Sequence, residues 1–133
     1  MKILVTGGNG QLGAALREVL KGEEALFTDT EEMDITRADL IEETFAKFKP
    51  DWLIHAAALT NVDGCEENPE LAETVNAAGS HYLAKACRNF SAKMIYVSTD
   101  YVFDGTKAGP YTEEDLPNPQ SVYGKTKLAG ETA

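Results

Sequence analysis

Apolar and polar positions alternate along this chain between two periods. Lys2 to Thr6 is a short β-rich apolar run stopped by glycines, which predicts a buried strand. From Gln11 to Lys21, Leu12, Ala15, Leu16, Val19 and Leu20 recur at helical spacing, so this stretch predicts a helix with those residues inward. Gly22 is placed to end it, with Lys21 favourable in the last turn. Ala25 to Thr28 predicts a second strand, ending at Asp29. Thr36-Arg37-Ala38-Asp39 resembles a capping box, opening a helix that turns Leu40, Ile41, Phe45 and Phe48 inward until Pro50 stops it.

Trp52 to Ala58 predicts a third strand whose last residues are all alanine. Asn68-Pro69 reads as an N-cap followed by proline at the first helical position. Leu71, Val75, Ala78, Tyr82, Leu83 and Ala86 then mark a long amphipathic helix. Met94 to Val97 is a fourth apolar strand, followed by Ser98-Thr99-Asp100. A polar, proline-bearing loop runs from Gly105 to Pro119, and a last helix begins near Ser121 and runs to the end at Ala133. Strands alternating with helices predict an α/β fold: a Rossmann-like, doubly wound parallel sheet covered on both faces.

Bulk properties narrow the classes. The 133 residues predict one dinucleotide-binding domain over 1–133, incomplete and ending inside the helix that carries Tyr123 and Lys127. A net charge of −10 argues against nucleic acid or anionic membranes as partners. No apolar run is long enough to span a bilayer, and the N-terminal run is too short for a signal peptide, so the expected compartment is the cytoplasm. Cys65 and Cys87 have no Cys-x-x-Cys spacing and read as reduced structural thiols. His55 and His81 lack ligand spacing and read as structural, and the acidic clusters read as solvated loops.

The glycines carry the first chemistry. Gly7, Gly10 and Gly13 follow a strand and open a helix. Such a turn brings backbone close to a pyrophosphate and aims free helix N–H groups at it. Asp29, at the end of the second strand, is placed to accept hydrogen bonds from the adenosine ribose, and its carboxylate would repel a 2′-phosphate. The plain alternative is a glycine turn that only connects strand to helix. Ala56, Ala57 and Ala58 leave room for a cofactor at the strand ends, or simply pack tightly.

Tyr123 and Lys127 lie four apart, on one helical face. An ammonium about 4 Å from a phenol, at an effective dielectric near 20, contributes about 4 kcal/mol toward its ionisation. That suits a general acid. A chance surface pair is the competing reading. Thr99, at the end of the fourth strand, could donate to a substrate carbonyl or merely cap the strand end.

Together these motifs resemble the extended short-chain dehydrogenase/reductases that act on nucleotide sugars. Ser98-Thr99-Asp100-Tyr101-Val102-Phe103-Asp104-Gly105 and Tyr123-Gly124-Lys125-Thr126-Lys127-Leu128-Ala129-Gly130-Glu131 are similar, within that group, to the dTDP-4-dehydrorhamnose reductases. The resemblance spans the whole chain but only about half of such an enzyme. It implies NADH or NADPH as cofactor and a nucleotide sugar as substrate, and it is compatible with a homodimer. Tyr123 would protonate the C4 oxygen of dTDP-4-dehydro-L-rhamnose as hydride reaches C4. Lys127 would hold the nicotinamide ribose, Thr99 would bind the same oxygen, and Asp100 would contact the sugar. Gly10, Gln11 and Leu12 would meet the pyrophosphate, and Asp34 and Ile35 the adenine side. Ala57, Ala58 and Leu59 would line the cofactor channel. Asn76 would steady the catalytic region through its amide or lie on a helix surface. Some members carry a glutamate in the first helix that helps hold a magnesium ion; Ala14 and Ala15 stand there, so no metal is expected. The alternatives are an epimerase or dehydratase of the same group, against which Thr-Asp-Tyr-Val-Phe argues, and a non-catalytic dinucleotide-binding subunit.

Overall fold

A computed structural model describes residues 1–133. Four parallel strands form one sheet in the order β2-β1-β3-β4: β1 (Lys2–Thr6), β2 (Glu24–Thr28), β3 (Trp52–His55) and β4 (Lys93–Tyr96). Helix α1 (Gln11–Val19) joins β1 to β2, and α2 (Ala38–Phe48) carries the chain back across β1 to β3. The chain reverses direction at β1, with β2 on one side and β3 on the other. That reversal is the switch point at which open α/β sheets leave a crevice beyond the strand ends.

The β3 to β4 connection is more elaborate than its periodicity predicts. A short helix α3 (Val62–Glu67), capped by the Asn61 side chain on Gly64 N–H, precedes it. The long rod then begins with α4 (Pro69–Ala72), as the Asn68-Pro69 signal predicts, with the Asn68 side chain accepting from Leu71 N–H. It widens into a π-helical segment, Glu73–Ala78, and continues as α5 (Gly79–Phe90). A 3₁₀ turn (Asp100–Val102) follows β4, and α6 (Val122–Glu131) closes the described chain.

Alternation along the strands sets the core. Leu4 and Leu53 point to the face covered by α2 and α5, where Ile41, Phe45, Leu83, Ala86 and Cys87 complete the cluster. Burying each such side chain contributes about 2 kcal/mol.

Five sequence expectations need correction. The apolar stripe of α1 is not buried: Val19 is 77% and Leu12 42% exposed. That face of the sheet is covered by α1 beside Phe27, where Arg17 stacks on the ring at 4.3 Å, while Ile95 on β4 is 47% exposed. Thr36 does not cap α2; Arg37 holds the cap position without a side-chain bond, and the Thr36 hydroxyl donates back to Asp34. Strand β3 ends at His55, so Ala56 to Ala58 form an extended segment beyond the ladder. The long amphipathic helix is interrupted by its π segment, and Leu71 is exposed rather than inward. Helix α6 ends at Glu131 instead of running on to Ala133.

Candidate functional site

The C-terminal ends of β1, β2 and β3 open into one cleft of about 790 Å³. Gly7, Gly10, Gln11, Leu12 and Gly13 form one wall, Asp29, Asp34 and Ile35 the second, and Ala57 and Ala58 the third. These residues come from three segments far apart in sequence, and the sheet register brings them together.

Backbone geometry explains the glycines. Gly7 has φ +70, and a Cβ there would lie 2.8 Å from Ala57 N. A Cβ at Gly13 would run into the carbonyls of Gly7 and Gly8. No side chain fits at either position, so the turn stays tight and α1 starts close against it. The N-cap of α1 is Gly10, with no side-chain cap. The first N–H groups of the helix are therefore left for a ligand, at the positive end of the helix dipole. Volume, shape and donors fit a dinucleotide.

Asp29 stands at the rim. Its carboxylate accepts from Asn9 N–H at 3.0 Å and from Thr30 N–H at 3.0 Å. The acid thus ties the end of β2 to the glycine turn.

The Tyr-Lys pair lies on α6. Its N-terminus is fixed twice: Ser121 accepts from Gly124 N–H at 3.0 Å, and Glu66 on α3 accepts from Val122 N–H at 2.7 Å. Both side chains face inward, Tyr123 at 9% and Lys127 at 3% exposure, which removes the surface-pair reading. Tyr123 packs with Cys65 and Ala72. The Lys127 ammonium donates to Val97 O at 2.8 Å and lies over the Tyr96 ring at 4.2 Å. Burial pulls its pKa down to about 8, against a smaller opposing pull from Glu131. The lysine therefore reaches the strand end rather than bonding directly to the phenol.

Thr99 takes the capping role, and its hydroxyl donates to Asp100 at 3.3 Å. Its hydroxyl oxygen accepts from Tyr101 N–H at 3.3 Å and so caps the 3₁₀ turn. Tyr101, two residues on, sets its ring edge against Tyr123 with centroids 5.6 Å apart. Asp100 is exposed beside it. Lys127 thus reaches the end of β4 two residues before Thr99, and none of Thr99, Asp100, Tyr123 and Lys127 lines the cleft.

Asn76 connects the two halves. It is 1% exposed, so the helix-surface reading fails. Its amide oxygen accepts from Leu59 N–H at 2.8 Å; its amide nitrogen donates to Leu59 O and to Thr126 Oγ1, each at 3.1 Å. Leu59 differs from the expectation: its side chain packs toward Cys65, Ala72 and Tyr123 and does not line the cleft. Its backbone is held by Asn76 instead.

Several participants carry no sequence signal. Thr28, Thr30, Met33, Thr60 and Val75 line the cleft, and Glu66 anchors α6 across 56 residues of sequence. Such pairings follow from topology, not from local spacing.

The family model for the RmlD substrate binding domain matches residues 1–133. The chain belongs to this family. Among similar members, a dTDP-4-dehydrorhamnose reductase of Aggregatibacter actinomycetemcomitans is 44% identical over 133 residues, covering 98% of this chain and 45% of that protein. The crystal structure of a dTDP-4-dehydrorhamnose reductase from Clostridium acetobutylicum superposes with a TM-score of 0.97 at 48% identity, over 99% of this chain and 48% of that one. The corresponding structure from Bacillus anthracis, a complex with NADP, gives 0.95 at 39% identity, over 98% and 48%. The chain thus spans about half the length of the relatives it matches. The RmlD-family membership agrees with the motif resemblance and with the parallel, Rossmann-like sheet.

Proposed function

We propose that this chain is the dinucleotide-binding and proton-donating part of an NAD(P)H-dependent dTDP-4-dehydrorhamnose reductase, which makes dTDP-L-rhamnose for cell-surface polysaccharide. The observation that supports this reading is that Tyr123 and Lys127 are both buried on α6, with Lys127 held on Val97 O at the end of β4 and Tyr123 against Tyr101, Val97 and Tyr101 each being two residues from Thr99. A reduced nicotinamide, when bound, supplies the hydride that reaches C4 of the sugar.

The chain's own residues do the rest. Gly7, Gly10, Gln11, Leu12 and Gly13 hold the pyrophosphate against the start of α1. Asp29 takes the adenosine ribose, with Asp34 and Ile35 beside the adenine. Ala57 and Ala58 keep the channel open. Tyr123 donates its phenolic proton to the C4 oxygen as the carbonyl becomes an alcohol. The Lys127 cation stabilises the phenolate left behind and holds the nicotinamide ribose. Thr99 donates to the same oxygen, and Asp100 contacts the sugar.

A burial-lowered lysine pKa near 8 keeps most of the ammonium charged at neutral pH. The test is NADH oxidation by the full-length protein given dTDP-4-dehydro-L-rhamnose. Tyr123→Phe should cut turnover by about 10²-fold or more while dinucleotide affinity is kept. Wild-type turnover in Tyr123→Phe would sink the assignment. Net consumption of NADH separates this reductase from an epimerase, which returns the hydride it removes.

A further inference from the structure

His55 is a buried histidine that the proposed chemistry does not use. It ends β3, is 1% exposed, and both ring nitrogens have partners: Nδ1 lies 2.7 Å from Thr6 Oγ1 and Nε2 lies 3.0 Å from Ser80 Oγ. The direction of these bonds can be worked out. Ser80 Oγ donates to the Asn76 carbonyl at 2.6 Å, and a carbonyl can only accept. The single hydroxyl proton of Ser80 is therefore used, and Ser80 must accept from His55. That places the proton on Nε2. Nδ1 is then bare and accepts from the Thr6 hydroxyl, whose oxygen in turn takes Ala57 N–H at 3.4 Å.

The result is one directed chain of hydrogen bonds. It runs from Ala57 in the cleft wall through Thr6, His55 and Ser80 to Asn76. From Asn76 the amide continues to Thr126, which donates to Tyr123 O at 3.0 Å. Thr6 immediately precedes the glycine turn, and Asn76 lies in the π-helical segment. The imidazole is the only link in this chain that crosses from the sheet to the long helix.

We propose that His55 is a positioning residue: fixed as the neutral Nε2–H tautomer, it sets the spacing between the dinucleotide cleft and the helix bearing Tyr123 and Lys127. An apolar side chain of the same bulk would fill the space but leave the Thr6 hydroxyl without its acceptor and Ser80 Oγ without its donor. A glutamine can present one acceptor and one donor in a similar direction. The groups facing the ring are Tyr96, with centroids 5.4 Å away, and the Lys127 ammonium, which disfavours a second proton on the imidazole.

This inference rests on the dinucleotide reading for its functional arm only. The test has two arms on the 133-residue protein. In the first, long-range ¹H–¹⁵N spectra read the protonation of each His55 nitrogen; Nε2–H is expected and should persist from pH 8 to pH 5. An Nδ1–H tautomer would overturn the proposal. In the second, NADH affinity is measured by fluorescence titration on folded variants. His55→Leu should weaken binding about tenfold, and His55→Gln should restore most of it. Ser80→Ala and Thr6→Val, milder changes at the two ends, should each weaken it several-fold and serve if His55→Leu does not fold. A merely structural role would lower the melting temperature of all four and leave the affinity of each folded variant unchanged, which would contradict positioning. A wild-type chain that binds no NADH would instead refute the proposed function, and the tautomer would still be decided by its spectrum.

Discussion

A buried base, His55, sets a pH response of the fold. Burial and the Lys127 charge lower the His55 pKa from its usual 6.5 to about 3. Between those values the unfolded chain binds a proton that the folded chain refuses. The His55 contribution is therefore complete above about pH 6.5 and falls as pH drops toward 3, by up to about tenfold in the folding equilibrium per pH unit. Denaturant midpoints between pH 7 and pH 4.5 should show this slope, and His55→Gln should flatten it. An equal slope in that variant would place the protonation elsewhere. Asp104, Asp115 and Asp39 have depressed pKa values through hydrogen bonds from Thr106 and Asn118, from Lys107, and from Arg37 respectively, so their contribution is present above the ordinary value of 3.8 and is lost as pH falls below it. Asp29 makes a second prediction at this scale. Like charges about 4 Å apart repel by about 1 kcal/mol even at the dielectric of water. Asp29→Ala should therefore narrow any preference for NADH over NADPH by at least about fivefold, read from paired affinities. An unchanged ratio would remove Asp29 from the ribose site.

At the scale of elements, α6 matters most. It is clamped at its start by Ser121 and Glu66, and Gly124 lets it approach the 3₁₀ turn so closely that a Cβ there would overlap Tyr101 O. Gly124→Ala should push Tyr123 away from Thr99, so turnover of the full-length protein should fall at least about tenfold with NADH affinity little changed. Loss of both together would point to general misfolding instead. Ser121→Ala should cost about 1 kcal/mol of stability, measured as a shift in denaturant midpoint.

The same elements show what the sequence could reveal. The β1-glycine-α1 unit, α2, Asn68-Pro69 and the Ser121 start are legible because caps, turns and periodicity are local signals. The apolar stripe of α1 does not fix its burial, since such a stripe says that a face could be covered, not that it is. The π segment carries no local signal, since Asn76 meets partners 17 and 50 residues away along the chain, whereas α3 has a local cap in Asn61 that the periodicity of so short a helix does not reveal. Tyr123, Lys127 and Thr99 were legible as residue types, but their burial and the Val97 carbonyl that holds the lysine came only from the fold. The family resemblance puts Leu59 in the channel, whereas its side chain packs against Cys65, Ala72 and Tyr123.

The whole molecule joins a well-packed face to an open one. One side of the sheet is closed by α2 and α5, while on the other Ile95 and the outer stripe of α1 face solvent. No helix is long and apolar enough to cross a membrane. A net charge of −10 gives the chain no overall attraction for an anionic ligand, so oriented backbone N–H groups at Gln11 to Gly13 are the natural source of it. That is the central claim, and calorimetric titration of this 133-residue chain with NADH tests it most directly. The account predicts saturable one-to-one binding that Gly13→Val abolishes while the wild-type fold is retained in Tyr123→Phe with unchanged affinity. A folded wild-type chain that takes up no NADH or NADPH, or a Gly13→Val variant that binds as well as wild type, would contradict it.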